Sequence, residues 1–317
     1  MNEKKKNNKI ISLVVPIYNE MVMLPIFLER ITSVIDSINN YQFEIIFVND
    51  GSNDDSLVFL KKYIEKDKRL VVIELSKNFG KESALTAGID TAIGNAVIPI
   101  DVDLQDPPEL ISEMLKKWEN GAEIVEAKRI NRTNDSFLKR FSAKIFYFTL
   151  NLISKDKIPS NVGDFRLIDR VVVNNIKILK ERNRFMKGIF SWPGFNVDVI
   201  EYTRNPRPLG RTKFNYFKLI SLAIEGITSF SIAPLKFITL VGFLGTTFSF
   251  FFMIVILIQK FFLLDFVVGY AFLVIIILFF GSLQLLSIGV LGEYIGKIYL
   301  EAKQRPIYII KNIFKNN

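Results

Sequence analysis

The chain of 317 residues contains no cysteine and no histidine. The absence of cysteine excludes a disulfide framework and thiol chemistry. The absence of histidine excludes Ser-His catalysis and imidazole ligands for a metal. No Gly-x-Gly-x-x-Gly motif follows a predicted strand, and residues 80–83 lack the upstream glycine and adjacent Ser/Thr of a phosphate-binding loop. A general base would therefore have to be a carboxylate, a lysine or a tyrosine.

Two long segments near the C-terminus lack charged residues. Phe237–Gln259 and Phe266–Gly292 contain no Asp, Glu, Lys or Arg. At about 1.5 Å per helical residue, each can cross the roughly 30 Å hydrocarbon core of a bilayer. The short connection Lys260–Asp265 leaves room only for a tight turn. Because two successive segments this apolar exceed what a soluble domain normally buries, the sequence predicts a transmembrane helical hairpin.

The remaining residues are rich in charge, and the whole chain has a formal net charge of +9. We expect anionic partners, with phosphates and acidic lipids ahead of nucleic acid. Basic residues crowd the segment before the hairpin and recur after it at Lys297, Lys303 and Arg305, whereas the connection carries only Lys260 and Asp265. The positive-inside rule therefore predicts that both termini and the domain before the hairpin are cytoplasmic.

The first 130 residues alternate between Val/Ile-rich segments and helical patterns. The predicted strands are Ile10–Val15, Phe43–Val48, Leu70–Leu75, Ala96–Ile100 and Glu123–Ala127. The predicted helices between them are Glu20–Ile38, Asp54–Lys66, Glu82–Ile93 and Pro108–Asn120. This order is typical of an α/β domain with a mostly parallel sheet. Pro99 weakens the fourth strand, because proline cannot donate a ladder hydrogen bond.

A pair of carboxylates follows the fourth predicted strand. Asp101 and Asp103 stand two residues apart at its carboxyl end, where open α/β sheets bind their ligands. Two carboxylates on such a turn can reach one hard divalent cation, which a nucleotide diphosphate needs for charge neutralisation. The same residues, followed by Pro107 and Pro108, are also typical of an ordinary helix start.

Polar residues also follow the other predicted strands, in Pro16–Glu20, Asn49–Ser52 and Ser76–Glu82. Each alone is consistent with turn and cap residues. Because the carboxyl ends of parallel strands meet at one sheet edge, we expect all these loops to lie beside Asp101 and Asp103.

Together these motifs resemble family 2 glycosyltransferases of the polyprenyl-phosphate type, the relatives of dolichol-phosphate mannose synthase and bactoprenol glucosyltransferase. The matching segments are Val15–Glu20, Val48–Ser52, Asn78–Glu82, Asp101–Glu109 and Gly163–Arg170. The resemblance covers essentially the whole chain and implies a GT-A-type (Rossmann-like) sheet followed by the transmembrane hairpin. Val102 and Asn95 depart from the usual residues, but no required carboxylate is missing.

The resemblance also implies roles for particular residues. Residues implied to bind the nucleotide part of the donor are Pro16, Tyr18, Glu20, Asp50 and Lys77, with Arg207 and Arg211. Those implied to hold Mg²⁺ or Mn²⁺ on the diphosphate are Asp101, Asp103 and Gln105. Asp164 would face the donor sugar, Arg129 and Arg140 the lipid phosphate, and Lys213 would belong with Arg207 and Arg211 to a closing loop. The catalytic set is therefore expected to be Asp103, Asp164, Arg129 and Lys213.

The implied acceptor is consistent with the missing histidine. A polyprenyl phosphate is already anionic near neutral pH, so it needs no strong base to attack the anomeric carbon. In-line attack would invert that carbon, while metal and arginines stabilise the leaving diphosphate. The expected donor is a nucleotide sugar, with UDP-glucose favoured over other UDP-sugars and GDP-mannose. The expected location is the bacterial cytoplasmic membrane, and relatives suggest a homo-oligomer such as a tetramer.

The predicted organisation has four parts. These are a cytoplasmic glycosyltransferase domain (residues 1–213), a juxtamembrane amphipathic helix (214–233), two transmembrane helices (234–292) and a cytoplasmic C-terminal tail (293–317).

Three alternatives stay open from the residues alone. A processive polysaccharide synthase would share the carboxylates, but it would need more membrane spans and a Gln-x-x-Arg-Trp motif, which this chain lacks. An anchored transferase with another acceptor would not need basic loops at the bilayer. A membrane scaffold without activity would not need the carboxylates.

Overall fold

The computed structural model describes residues 9–130, 162–179, 181–182, 184, 186–191, 194–203, 233–262 and 270–316. The chain divides into two compact units. The second comprises Tyr216–Arg305 with Leu152–Ser154, and the rest of the chain, including Pro306–Asn317, belongs to the first.

The described part of the first unit contains one sheet of eight strands. In chain order they are β1 (Ile10–Ile17), β2 (Gln42–Asn49), β3 (Leu70–Leu75), β4 (Ala96–Pro99), β5 (Ile124–Arg129), β6 (Val162–Asp169), β7 (Val197–Tyr202) and β8 (Ile310–Lys315). Their spatial order is β7-β5-β6-β4-β1-β2-β3-β8. The pairs β1–β2, β1–β4, β2–β3 and β5–β7 are parallel, and the other three are antiparallel. The predicted α/β class with a mostly parallel sheet is confirmed.

Helices follow the strands of this unit. They are α1 (Leu24–Asp36), α2 (Ser56–Ile64), α3 (Lys81–Thr91), α4 (Ile111–Glu119, after a 3₁₀ turn at Pro108–Leu110), α5 (Arg170–Ile178) and α6 (Met186–Ser191). The first four match the predicted helices, with ends shifted by up to four residues, and the first five strands match the predicted strands.

The core has two layers, one on each face of the sheet. In β1, Leu13 and Val15 join the layer that contains α1, whereas Val14 joins the layer that contains α3. This alternation follows from the two-residue period of a strand. Within the second layer α3 approaches the sheet closely at Gly88, where a Cβ would come 2.2 Å from a Val14 methyl group. The glycine thus fixes the depth of α3, whose first residue is Lys81.

Pro99 lies at the end of β4, opposite Val14 of β1. The antiparallel pairing of β4 with β6 covers only Ala96 and Val97. The missing N–H of Pro99 therefore breaks no hydrogen bond to β6, which explains how the strand tolerates the proline.

The hydrophobic pattern did not predict β6, β7 or β8. Charged residues interrupt each of these strands: Asp164 and Arg166 in β6, Asp198 and Glu201 in β7, and Lys311 in β8. β7 and β8 are the two edge strands of the sheet. One side of an edge strand makes no hydrogen bonds to a neighbouring strand, and charged residues are common there.

The segment predicted as a C-terminal tail is structured. β8 pairs antiparallel with β3, and Phe314 lies opposite Val72. Glu74 of β3 accepts hydrogen bonds from Lys311 Nζ at 2.8 Å and Asn312 Nδ2 at 2.9 Å. The chain thus returns from the second unit to complete the sheet, a pairing of residues about 240 positions apart that local patterns do not encode.

The second unit contains two long helices within its described residues, α7 (Ala233–Phe262) and α8 (Tyr270–Ala302). Pro234–Phe252 and Phe279–Ala302 are long and apolar enough to cross a membrane by length and composition. Neither of these segments is buried inside the structure. α7 and α8 touch at Gly245, where a Cβ would lie 3.4 Å from the Phe280 ring. The two predicted apolar helices are confirmed; the predicted juxtamembrane helix lies outside the described residues.

Candidate active site

Four parallel strands end at one edge of the sheet. The loops after β1, β2, β3 and β4 carry Tyr18, Asp50, Lys77 and Asp101, respectively. Because β6 runs antiparallel to β4, the start of β6 lies at the same edge, and it brings Asp164 there. The structure therefore unites five of the sequence-predicted residues at one edge, as the topology requires.

A lysine that the sequence did not single out lies between two of the predicted carboxylates. Lys81 Nζ is 2.7 Å from Asp101 Oδ1 and 2.7 Å from Asp164 Oδ2. Lys81 is the first residue of α3 and follows Gly80, whose φ of +95° favours glycine. The motif Asn78–Glu82 was the only sequence signal that pointed to this position.

The charges in this cluster shift one another's pKa values. Burial alone lowers the Lys81 pKa, but the charges of Asp101 and Asp164, with hydrogen bonds to both, raise it above the usual range. Burial raises the pKa of Asp101, and the nearby charges of Asp164 and Asp103 add to the effect, while Lys81 opposes it. Asp101 and Asp164 thus share one ammonium group, and Asp103 adds a third negative charge near Asp101, an arrangement that favours additional positive charge.

Asp103 lies beside this cluster on the turn after β4. Its side chain is buried and its Oδ1 accepts a hydrogen bond from the Gln105 backbone N–H at 3.2 Å. Leu104 between them has a φ of +53°, a left-handed conformation that tightens the turn. Among the described residues no three acidic side chains form a metal-ligand group. Two aspartates and one amide would leave coordination positions for a diphosphate.

The donor set nevertheless fits a hard divalent cation. Both oxygens of Asp101 already contact the Lys81 ammonium, which shows that they can approach a cation, and Asp103 lies close enough to add its charge to theirs. Carboxylate and amide oxygens are the ligands that Mg²⁺ and Mn²⁺ take in proteins.

Asp50, predicted to hold the nucleoside, orients a loop. Its carboxylate accepts hydrogen bonds from the backbone N–H of Phe79 at 2.7 Å and of Gly80 at 2.9 Å. Burial raises its pKa, and these two bonds oppose the rise. The next residue, Gly51, has a φ of +65°, and a Cβ there would lie 2.7 Å from Asn78 N. The loop after β2 therefore fixes the backbone that presents Lys81.

The remaining residues predicted for the nucleotide differ in exposure. Tyr18 is 42% exposed at the sheet edge, and Pro16 and Glu20 are partly exposed. The Glu20 backbone N–H donates to Ser56 Oγ at 3.2 Å, so its loop is held to the start of α2. The Lys77 ammonium lies 5.1 Å from the centre of the Phe79 ring.

Arg129, predicted to bind a lipid phosphate, ends β5 and is held by two residues. Its Nε donates to the Tyr202 hydroxyl at 3.1 Å, and its Nη2 is 3.5 Å from Asp106 Oδ1. The Tyr202 hydroxyl also donates to Asp106. Gly163 leaves space for this guanidinium, because a Cβ there would lie 2.9 Å from Nη2. The sequence motif contained Asp106, but nothing in the sequence pointed to Tyr202.

Burial lowers the pKa of Arg129, but the charge of Asp106 and the Tyr202 hydroxyl more than compensate and raise it. The charge of Asp101 adds to this rise, so the arginine cluster and the carboxylate cluster interact. Burial and Asp106 raise the pKa of Tyr202, which keeps its hydroxyl protonated as a donor.

A second arginine lies beneath the site. Arg166 is fully buried, and its Nη1 donates to Glu126 Oε1 at 2.9 Å. Its Nη2 donates to the Gly163 carbonyl at 2.8 Å, and its guanidinium lies 4.5 Å from the centre of the Phe190 ring. Burial lowers the pKa of Arg166, although Glu126 and Asp164 oppose this. Arg166 thus braces β6 at Gly163, the residue that precedes Asp164.

Four other predicted site residues, Arg140, Arg207, Arg211 and Lys213, lie outside the described residues. Their predicted roles stay predictions.

Comparisons with known proteins agree with the motifs. Residues 12–177 match the model of glycosyl transferase family 2. The chain is 50% identical over 302 residues to the bactoprenol glucosyl transferase of Shigella phage SfV, covering 95% of this chain and 98% of that protein. It is 48% identical over 305 residues to the prophage bactoprenol glucosyl transferase homolog of Escherichia coli (strain K12), covering 96% and 99%.

Among solved structures, glucosyl-3-phosphoglycerate synthase from Mycobacterium tuberculosis, in complex with Mn²⁺, UDP-glucose and phosphoglyceric acid, is similar with a TM-score of 0.46. It is 17% identical, and the match covers 70% of this chain and 79% of that one.

Proposed function

Because the chain belongs to glycosyl transferase family 2, we propose that it transfers a sugar from a nucleotide-sugar donor to a polyprenyl phosphate at a membrane surface. The observation that supports this best is the convergence of Asp101, Asp103 and Asp164 with the cations of Lys81 and Arg129 at one sheet edge. Carboxylates suit a metal-bound diphosphate, and an arginine suits a phosphate acceptor.

The proposed donor is UDP-glucose. Asp101, Asp103 and Gln105 would hold Mg²⁺ or Mn²⁺, which supplies charge neutralisation for the leaving diphosphate. Tyr18 and Pro16 would contact the nucleoside from the exposed rim of the site. Glu20, Asp50 and Lys77 would form the rest of the nucleotide-binding surface. The names of the two relatives support a glucosyl donor.

The proposed acceptor is polyprenyl phosphate, and the names of the same relatives support it. Its phosphate oxygen is the proposed nucleophile: it would bond to the anomeric carbon with inversion as the bond from that carbon to the diphosphate oxygen breaks and the nucleoside diphosphate leaves. Arg129 would orient the phosphate, because Asp106 and Tyr202 fix the position of its guanidinium. Arg140 would contribute a second charge, and Arg207, Arg211 and Lys213 would close over the diphosphate.

The proposed location is the cytoplasmic face of a bacterial inner membrane. The two apolar helices support membrane association by their length and composition. Positive charge on both flanks of the hairpin supports cytoplasmic termini. Assembly into a homo-oligomer such as a tetramer is part of the same proposal.

Transfer into an organic phase tests this function. Purified full-length protein in detergent is mixed with radiolabelled UDP-glucose, Mg²⁺ and undecaprenyl phosphate, and the organic extract is counted. We expect label in the extract with the phosphate and none with undecaprenol, because no histidine is present to deprotonate an alcohol. Equal labelling of the alcohol would contradict the proposed nucleophile, and label found only in water-soluble or protein products would favour another acceptor. GDP-mannose and UDP-N-acetylglucosamine in parallel reactions test the donor.

A further inference from the structure

The Lys81 ammonium occupies the space where two functional carboxylates converge. It contacts both oxygens of Asp101, at 2.7 and 2.8 Å, and one oxygen of Asp164 at 2.7 Å. Under the proposed function Asp101 binds the cation and Asp164 faces the donor sugar. Neither carboxylate can be fully available to those partners while it holds Lys81.

A divalent cation and the ammonium therefore compete for the same oxygens. Asp101 has only two carboxylate oxygens, and both lie within hydrogen-bonding distance of Nζ. Positive charge so close to a dication is also repulsive, and the repulsion is strong where water is partly excluded.

The surroundings of Lys81 allow its ammonium group to leave Asp101 and Asp164. Its backbone is fixed, because the neighbouring Gly80 N–H donates to Asp50 at 2.9 Å. Its side chain is 45% exposed, so the ammonium can turn to solvent or to an incoming anion without being stranded in the interior. A buried cation such as Arg166 lacks that freedom.

We propose that Lys81 is a resident counter-ion, which holds Asp101 and Asp164 in place before the donor arrives and is displaced from Asp101 by the divalent cation. This inference rests on the proposed assignment of Asp101 as a metal ligand. It makes Lys81 a positioning residue whose removal strengthens cation binding, the opposite of what loss of a purely structural residue would do.

The test is Mn²⁺ binding to the full-length protein in detergent without donor, measured from the EPR signal of free Mn²⁺. Lys81→Met keeps the length of the side chain and removes its charge. We expect this variant to bind Mn²⁺ roughly tenfold more tightly than the unaltered protein, because the competing charge is gone. Lys81→Arg keeps the charge and should bind within about threefold of the unaltered protein.

Two controls make the result specific. Lys128→Met removes a positive charge that is paired with Glu201 at 2.8 Å rather than with Asp101, and should leave Mn²⁺ affinity unchanged. Asp101→Asn should weaken Mn²⁺ binding in the Lys81→Met background. Melting curves establish that each variant is folded.

Unchanged or weaker Mn²⁺ binding by folded Lys81→Met would overturn the inference, and so would the absence of Mn²⁺ binding in both proteins. Equal tightening in Lys128→Met would also overturn it, because the effect would then reflect net charge alone. Transfer of label to polyprenyl phosphate is measured separately. A negative Mn²⁺ result with normal transfer would therefore contradict the role of Lys81 and leave the proposed function supported.

Discussion

Asp164 and Arg166 lie two residues apart on the same face of β6, yet their ion pairs differ in burial. The Asp164–Lys81 pair is partly exposed, with 16% and 45% of the two side chains accessible. The Arg166–Glu126 pair has 0% and 7% accessible. Arg166 has further partners in the Gly163 carbonyl and the Phe190 ring.

The difference in burial determines how much free energy it costs to separate each ion pair. Moving Arg166 away from Glu126 would leave an unpaired charge without water, which costs several kcal/mol per ion. Moving Lys81 away from Asp101 exposes both groups to solvent or to a ligand, which costs far less. The deeper pair therefore fixes the strand, whereas the shallower pair can separate at a much lower cost in free energy, as the proposed role of Lys81 requires.

The largest expected effect is on activity at the exposed cluster. Asp101→Asn should lower transfer of sugar to polyprenyl phosphate by about a thousandfold, because the developing charge on the diphosphate loses its stabilisation. Its melting temperature should change little. The measurement is initial rate in the organic-phase assay together with a melting curve. A large loss of stability in this variant would break the comparison between the two clusters.

The buried pair should show the reverse behaviour. Arg166→Met should lower the free energy of unfolding by about 3–5 kcal/mol, because Glu126 is left buried and unpaired. Replacing Glu126 with Leu as well should recover most of that loss, since the double variant buries no charge. Denaturant titration of the protein in detergent provides the measurement.

A matched control for the buried pair is Lys128→Met, which breaks the exposed pair with Glu201. It should change the free energy of unfolding by less than about 1 kcal/mol. If Arg166→Met lowers the free energy of unfolding no more than Lys128→Met does, burial does not determine how much the two ion pairs stabilise the protein.

Tyr202→Phe tests the neighbouring arginine cluster. Arg129 Nε loses its acceptor and Asp106 loses its hydroxyl donor. We expect KM for polyprenyl phosphate to rise about tenfold, the equivalent of one hydrogen bond to a charged group, while KM for the donor stays nearly constant. Equal rises in both KM values would show that the tyrosine supports the whole site rather than Arg129.

The smallest expected effect concerns the exposed pair that joins β3 to β8. The Lys311 side chain is 59% exposed, so Lys311→Ala should lower the free energy of unfolding by less than about 1 kcal/mol. Burial alone raises the Glu74 pKa, but hydrogen bonds from Lys311 and Asn312 lower it below its usual range. The stabilisation by ionised Glu74 is therefore fully present above the pKa that this carboxyl has in the unfolded chain. It is lost as the pH falls through the lower pKa that Glu74 has in the folded protein. Melting curves between neutral and acidic pH should show the variant and the unaltered protein converging in acid.

Much of the fold was predictable because its signals are local. The first five strands have hydrophobic patterns of the right length, and the first four helices lie between them. The charge-free segments near the C-terminus predicted the two long helices for the same reason. The strands β6, β7 and β8 were not predicted, because they carry charges and find their partners far along the chain.

The candidate site was predictable only in part. The sequence predicted that Asp50 and Asp101 lie at one edge of the sheet, because each follows a strand and the carboxyl ends of parallel strands meet at the same edge. Asp50 then proved to orient a loop, and Lys81 proved to bridge Asp101 and Asp164 across 20 and 83 residues of sequence. No local pattern specifies such a contact.

The sequence by itself determined the class of the sheet, the family, the apolar helices and the types of chemistry that are absent. It did so because strand and helix periods, charge-free length and the lack of histidine and cysteine are properties of the chain alone. Only the tertiary structure decided which charges meet and how deeply each pair is buried. Lys81 and Arg166 look alike as basic residues in motifs, but their exposure to water, which sets the cost of separating each from its partner, exists only in the folded protein.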